Sequence, residues 1–132
     1  MKYLGIDYGT KRIGIALSDE EGKLAFPKKV IENNSKAVSA VASICQEEKI
    51  SAIIIGESLD LSGKQNPLMA DISVFKENLG QATSLPITFE PEFFTSVEAG
   101  RLQGKHKLID SSAAALILKS FLDKKNGQLG NV

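Results

Sequence analysis

The chain of 132 residues is 42% hydrophobic and carries sixteen Lys and Arg against sixteen Asp and Glu, so its formal net charge is zero. That length suits one domain, residues 1–132, with a proper core, and electroneutrality excludes a global positive field, so any nucleic-acid contact has to come from local basic clusters. A lone cysteine excludes a disulfide framework; no apolar run approaches membrane-spanning length, and Met1-Lys2-Tyr3 enters a strand where a leader would need an apolar segment, so a cytoplasmic protein away from membranes is expected.

Two apolar runs flank Asp7-Tyr8-Gly9-Thr10-Lys11-Arg12 and read as two strands joined by a tight turn. Asp7 is the only acid in the first run. A carboxylate taken out of water needs a cation or hydrogen-bond donors to offset its desolvation, and a metal ion is one such cation. Gly5, Gly9 and Gly14 suit places where the backbone turns sharply or a ligand approaches closely. Their spacing is not that of a dinucleotide-binding fingerprint, and the interval from Gly56 to Gly63-Lys64 is too long for a P-loop, with Gln65 where Ser or Thr should stand.

A third strand is expected over Leu24-Ala25-Phe26 and Val30-Ile31, outermost because Pro27 removes a ladder donor. Ala37, Val38, Val41, Ala42 and Cys45 recur at helical spacing, with Asn34 or Ser35 as N-cap, and Cys45 is a packed core thiol in that pattern. The continuous apolar run Ser51 to Gly56 predicts a strand covered on both faces. After a loop over Leu59 to Asn66, Pro67 opens a second helix with Leu68, Ile72, Phe75 and Leu79 on one face, closed by Gly80. Leu85 to Phe89 predicts a fifth strand with Pro86 at an edge. Thr95-Ser96-Val97-Glu98 is a capping box that opens a short helix to about Gln103, followed by a basic loop, Lys105-His106-Lys107. A last helix starts at Asp110 or Ser111 and reaches Lys124-Lys125, with Gly127 to Val132 as a frayed tail. The fold class is therefore α/β, with a mixed five-stranded sheet, three antiparallel strands then two parallel ones, flanked by helices.

Gly5-Ile6-Asp7-Tyr8-Gly9-Thr10-Lys11-Arg12-Ile13-Gly14, the Ile53-Ile54-Ile55-Gly56 strand, Thr95 to Ala99 and Ile109-Asp110-Ser111-Ser112-Ala113-Ala114 together resemble the YqgF family. That family comprises proteins described as Holliday junction resolvases and as pre-16S rRNA nucleases, on a ribonuclease H-like fold. The resemblance implies a metal-dependent nuclease that cuts phosphodiester bonds in structured nucleic acid, either junction DNA or the ribosomal RNA precursor. It places Asp7 and Asp110 together at one end of the sheet. Like-charged carboxylates brought close call for a divalent cation, and Mg2+ or Mn2+ suits oxygen ligands, water and substrate phosphate. Thr10, Lys11 and Arg12 would contact substrate phosphates, and Lys105 and Lys107 would extend that track.

The middle of the chain departs from the family. Pro91-Glu92-Phe93-Phe94-Thr95-Ser96 stands where the family has Asp-Glu-Arg-Leu-Thr-Thr, so Glu92 alone of the charged residues survives. Glu92 is the third acid by resemblance, and Glu57 has a rival claim because the fourth strand of a ribonuclease H-like sheet lies beside the first. Three readings follow: a nuclease, a nucleic-acid-binding relative that kept the fold and lost cleavage, and one lobe of a sugar-kinase or actin-like ATPase. The last needs two such lobes, more than this length supplies. Monomer and homodimer both stay open, a twofold pair suiting symmetric junction cuts.

Overall fold

The computed structural model describes residues 1–59, 67–93 and 110–130. Five strands, β1 (Tyr3–Tyr8), β2 (Arg12–Ser18), β3 (Ala25–Glu32), β4 (Ala52–Leu59) and β5 (Ile87–Phe93), form one sheet in the order β3-β2-β1-β4-β5. β1 runs antiparallel to β2 and β2 to β3, whereas β1 with β4 and β4 with β5 are parallel. The expected mixed sheet is therefore present, with β3 and β5 at its edges. The capping box at Thr95, the short helix to Gln103, Lys64 and the Lys105-His106-Lys107 loop lie outside the described residues.

Among the described residues three helices cover the sheet: α1 (Ala37–Glu47), α2 (Leu68–Thr83) and α3 (Asp110–Gly130). Because successive strand side chains alternate between faces, each strand feeds two cores. Leu4, Ile6, Ile13, Ile15, Ile53 and Ile55 meet Val41 of α1 and Ile72 and Leu79 of α2 on one face. Tyr3, Ala16, Ala52 and Ile54 meet Ala114, Ile117, Leu118 and Leu122 of α3 on the other. Two of these sheet residues are alanines and Gly5 beside them has no side chain, so α3 lies close to the strands. At Gly5 a Cβ would stand 2.8 Å from Leu118 Cβ and 3.1 Å from the Ala114 carbonyl oxygen, closer than packed atoms tolerate.

Element boundaries differ from the sequence reading in ways the contacts explain. β3 is one continuous strand: between the pairs Ile15–Lys29 and Ala16–Pro27 the register shifts, and Lys28 is the extra residue of a bulge that accommodates the proline. α1 starts later than expected, since Asn34 spends its Oδ1 on the Lys36 N–H at 2.9 Å and no side chain caps the helix. α2 passes through Gly80 and ends at Ser84, which takes the left-handed conformation (φ 58°) and donates its N–H to the Gly80 carbonyl. β4 and β5 stay paired through Leu59–Phe93, and Pro91 is tolerated because β5 is an edge. The last helix continues to Gly130 rather than fraying at Gly127; Asn126 donates to the Gly22 carbonyl at 3.1 Å and ties it to the β2–β3 turn. Cys45 is buried in α1, and burial pushes its thiol up to about 11, as an inert packing thiol requires.

Candidate active site

Asp7 sits one residue before the end of β1, half-buried. It shares a face with Tyr3 and Gly5, the face that α3 covers. The course of α3 along β1 follows from its contacts with Tyr3 and Gly5. Tyr3 packs edge-on against Phe121, with ring centroids 5.5 Å apart, and lies under the Lys125 ammonium at 5.3 Å. Gly5 meets Leu118 and Ala114. Each step up β1 is thus a step back along α3, so the helix runs antiparallel to the strand. From Gly5 to Asp7 is a rise of roughly 6.6 Å. One helical turn before Ala114, roughly 5.4 Å back, α3 begins at Asp110. The backbones of Asp7 and Asp110 are therefore level at the same end of the sheet.

Across the sheet, Asp7 pairs with Gly14 of β2. On its other side the β1–β4 register, Ile6 with Ile55, brings Gly56 next to it. Neither neighbouring strand puts a side chain beside Asp7, so the strands do not compete with a hydrated ion for the volume next to the carboxylate. This arrangement, together with the hard oxygen donors of Asp7, fits a magnesium or manganese ion. Among the described residues no three acids, histidines or cysteines gather into a metal-holding group.

The rival third acids are placed differently. Both are strand residues, since β4 and β5 extend further than the sequence suggested, and Ser58 pairs with Glu92. Glu57 has the strand parity of Ile53 and Ile55, whose side chains lie in the α1/α2 core. That puts it across the sheet from Asp7, although β4 is the adjacent strand. Lateral distance alone, the basis of its claim, ignores this parity. Glu92 occupies a register position two residues past Glu90, on the strand parity of Thr88 and Glu90.

The turn that joins β1 to β2 presents Thr10, Lys11 and Arg12 to solvent. Its shape depends on Asn33, a residue the sequence reading passed over. The Asn33 side-chain amide donates to the Gly9 carbonyl at 2.8 Å and its backbone N–H donates to the Lys11 carbonyl at 2.9 Å. Gly9 is needed there, because a Cβ would stand 2.6 Å from the Arg12 carbonyl oxygen. Thr10, Lys11, Arg12, Glu32, Asn33 and Asn34 line a shallow cleft of about 610 Å³.

A second residue was also missed. Glu90 is 4% exposed on the α3 face of β5, level with Asp7 through the row Asp7, Gly56, Glu90. Its Oε2 accepts from Ser120 Oγ at 2.8 Å and from Lys124 Nζ at 2.6 Å. Both partners stand 30 or more positions away in the chain, which no local pattern reveals.

A mixed sheet of this order with an acid on its first strand, and a helix start level with that acid, defines the ribonuclease H-like class of α/β proteins. The structure of Thermus thermophilus RuvC in complex with Holliday junction substrate shares this fold, with a TM-score of 0.62 at 12% identity over 96% of both chains. The model of the family described as "RuvX: Holliday junction resolvase" matches residues 1–124, and the chain belongs to that family. A "Putative pre-16S rRNA nuclease" of Nitratidesulfovibrio vulgaris is 36% identical, covering 93% of this chain and 94% of its own. One of the same name from Oenococcus oeni is 33% identical over 99% of both chains.

Proposed function

We propose that the protein is a divalent-metal-dependent nuclease that cleaves phosphodiester bonds in structured nucleic acid, acting in the cytoplasm as a monomer or homodimer. The observation that carries this reading is Asp7: an acid on the central strand, flanked by glycine on both sides and level with the first residue of α3. Asp7, Asp110 and Glu92 are assigned to hold Mg2+ or Mn2+. Glu57, on the opposite face, is left as a supplementary ligand only. The bound ion supplies an activated water and charge neutralisation at the scissile phosphate. Arg12 offers a bidentate fork, Lys11 a point charge and Thr10 a backbone N–H to the flanking phosphates, held in shape by Asn33. Lys105 and Lys107 extend the track. No protein nucleophile is required, and Cys45 is unsuited to the part.

Both named substrate classes fit. The resolvase description of the family favours four-way junction DNA, and the names of the relatives favour the 5′ processing of the ribosomal RNA precursor. One observation favours a relative that binds without cutting: β5 carries Pro91 and Phe93 where the family has an acid and an arginine. A single experiment addresses these readings together. Purified protein is incubated with labelled four-way junction and with precursor ribosomal RNA, each in magnesium, manganese or chelator, beside Asp7→Asn. Cleavage of one substrate that needs metal and fails in the variant is the expected result. Binding without cleavage in any metal identifies the non-cutting relative, and full activity of Asp7→Asn ends the metal-site assignment.

A further inference from the structure

We infer that Glu90 is a positioning residue for the metal site: by clasping Ser120 and Lys124 it sets where α3, which begins at Asp110, stands relative to the end of β5 that carries Glu92. The inference rests on the metal-site reading above and assigns a role to a residue outside its ligand set.

The physical case begins with what holds α3 in place. Its buried contacts, Ala114, Ile117, Leu118 and Leu122 against Tyr3, Ala16, Ala52 and Ile54, are apolar. Apolar packing is non-directional and rewards burial without fixing a helix to a fraction of an ångström along its axis. A metal site demands more, since octahedral magnesium holds its oxygens near 2.1 Å. Asn126 supplies one directional bond at the far end of the helix, to the Gly22 carbonyl, and Glu90 supplies direction on the β5 side. It is buried on β5, and both bonds to α3 converge on one carboxylate oxygen, one of them from an ammonium group. Charge-assisted bonds of this kind are short and geometrically selective.

Position makes the clasp relevant to the acids. Glu92 follows two residues after Glu90 on the same strand, roughly 6.6 Å on. Asp110 precedes Ser120 by about three turns of one continuous helix. A single buried carboxylate thus couples the element bearing one proposed ligand to the element bearing another. The row from Asp7 through Gly56 to Glu90 ties the same carboxylate to the strand bearing the third. Burial also explains why glutamate stands here at all: without the function of fixing α3, an apolar residue would fill the space at no desolvation cost.

The test measures manganese binding directly, by electron paramagnetic resonance of the free ion, on metal-stripped wild-type protein and on Glu90→Gln, Lys124→Ala and Leu122→Ala. Leu122→Ala loosens the α3 core without touching the clasp, and so reports what destabilisation alone does. Glu90→Gln and Lys124→Ala should each weaken manganese binding at least tenfold, while Leu122→Ala leaves it within twofold at temperatures where all four proteins are folded. The magnesium concentration for half-maximal cleavage should rise in the same two variants, with the KM for nucleic acid unchanged. Equal manganese affinity in wild type, Glu90→Gln and Lys124→Ala overturns the inference and leaves the nuclease reading intact. Manganese binding with the predicted losses but no cleavage in any variant does the reverse, and absence of manganese binding in the wild type overturns both.

Discussion

At Gly5 a hydrogen atom decides how close α3 comes to the sheet. Gly5→Ala would place a methyl group 2.8 Å from Leu118 Cβ, and neither a β-carbon nor the Ala114 carbonyl can swing aside. Overpacking of this kind costs about 1–3 kcal/mol, so thermal denaturation should show a clearly lowered midpoint. Activity should fall further than stability explains, because α3 carries Asp110 away from Asp7 as it is displaced. A midpoint equal to that of wild type would mean the sheet and helix are not in contact at this position. Asn33 makes a second case at the same scale. Asn33→Ala removes the amide that holds the Gly9 carbonyl, a bond worth about 1 kcal/mol, and should weaken nucleic-acid binding roughly fivefold with metal affinity unchanged. Asp7 could be picked out of the sequence because it is a lone acid in an apolar strand. Asn33 and Glu90 could not, since what defines them is a partner 24 to 34 positions away.

Strands and helices carry their own pH dependence. Asp19 accepts the backbone N–H groups of Lys23 at 2.7 Å and Leu24 at 3.1 Å, and these bonds, that of Leu24 foremost, hold its carboxyl below the usual range and pin the turn between β2 and β3. Glu48, just after α1, is lowered by its hydrogen bond and charge contact with Lys2 at 2.8 Å, and secondarily by Lys28. Both groups have folded pKa values depressed below their unfolded ones. Their contribution is therefore present above about pH 4, the ordinary carboxylate value, and lost as pH falls through the folded values. Asp19→Asn and Glu48→Gln should each make the thermal midpoint fall less steeply below pH 4 than in wild type. Identical acid limbs in all three proteins would contradict this. Elements as wholes were legible: the edge position of β3 follows from Pro27 and the buried β4 from its isoleucines. Their ends were not: Gly80 reads as a stop, and β5 runs on to Phe93, past the Phe89 at which the sequence pattern ends. A side chain at Gly80 would meet Ile87 Cδ1 at an ordinary 3.7 Å, so sterics do not demand the glycine, and its low helix propensity is outweighed by the burial of Leu79 beside it.

For the molecule as a whole, electroneutrality limits how it engages a polyanion. With binding confined to Lys11, Arg12 and the Lys105–Lys107 segment, log affinity against log salt should fall on a slope set by about three to five released counterions. Replacing Lys11 by alanine should flatten that slope by about one charge, and a slope unaltered by that change would remove the β1–β2 turn from the interface. Strand direction was readable from the sequence because connection length dictates it, with short turns among the first three strands and helices before the next two, whereas the place of β4 beside β1 came from the family resemblance. Which face each acid occupies needed the register, as the separation of Glu57 from Asp7 shows.

The assignment of α3 to one whole face of the sheet has a consequence for how the chain is made. During synthesis from the N-terminus, all five strands and both helices of the opposite face emerge before Ala114 does. A nascent chain at that stage can assemble the α1/α2 core but lacks the α3 residues that pack on Tyr3, Ala16, Ala52 and Ile54. The same delay withholds Asp110 from Asp7. On the metal-site assignment proposed above, closure of the second core is also the step that brings Asp110 level with Asp7, so a chain still being translated would carry the scaffold of that site without its second acid.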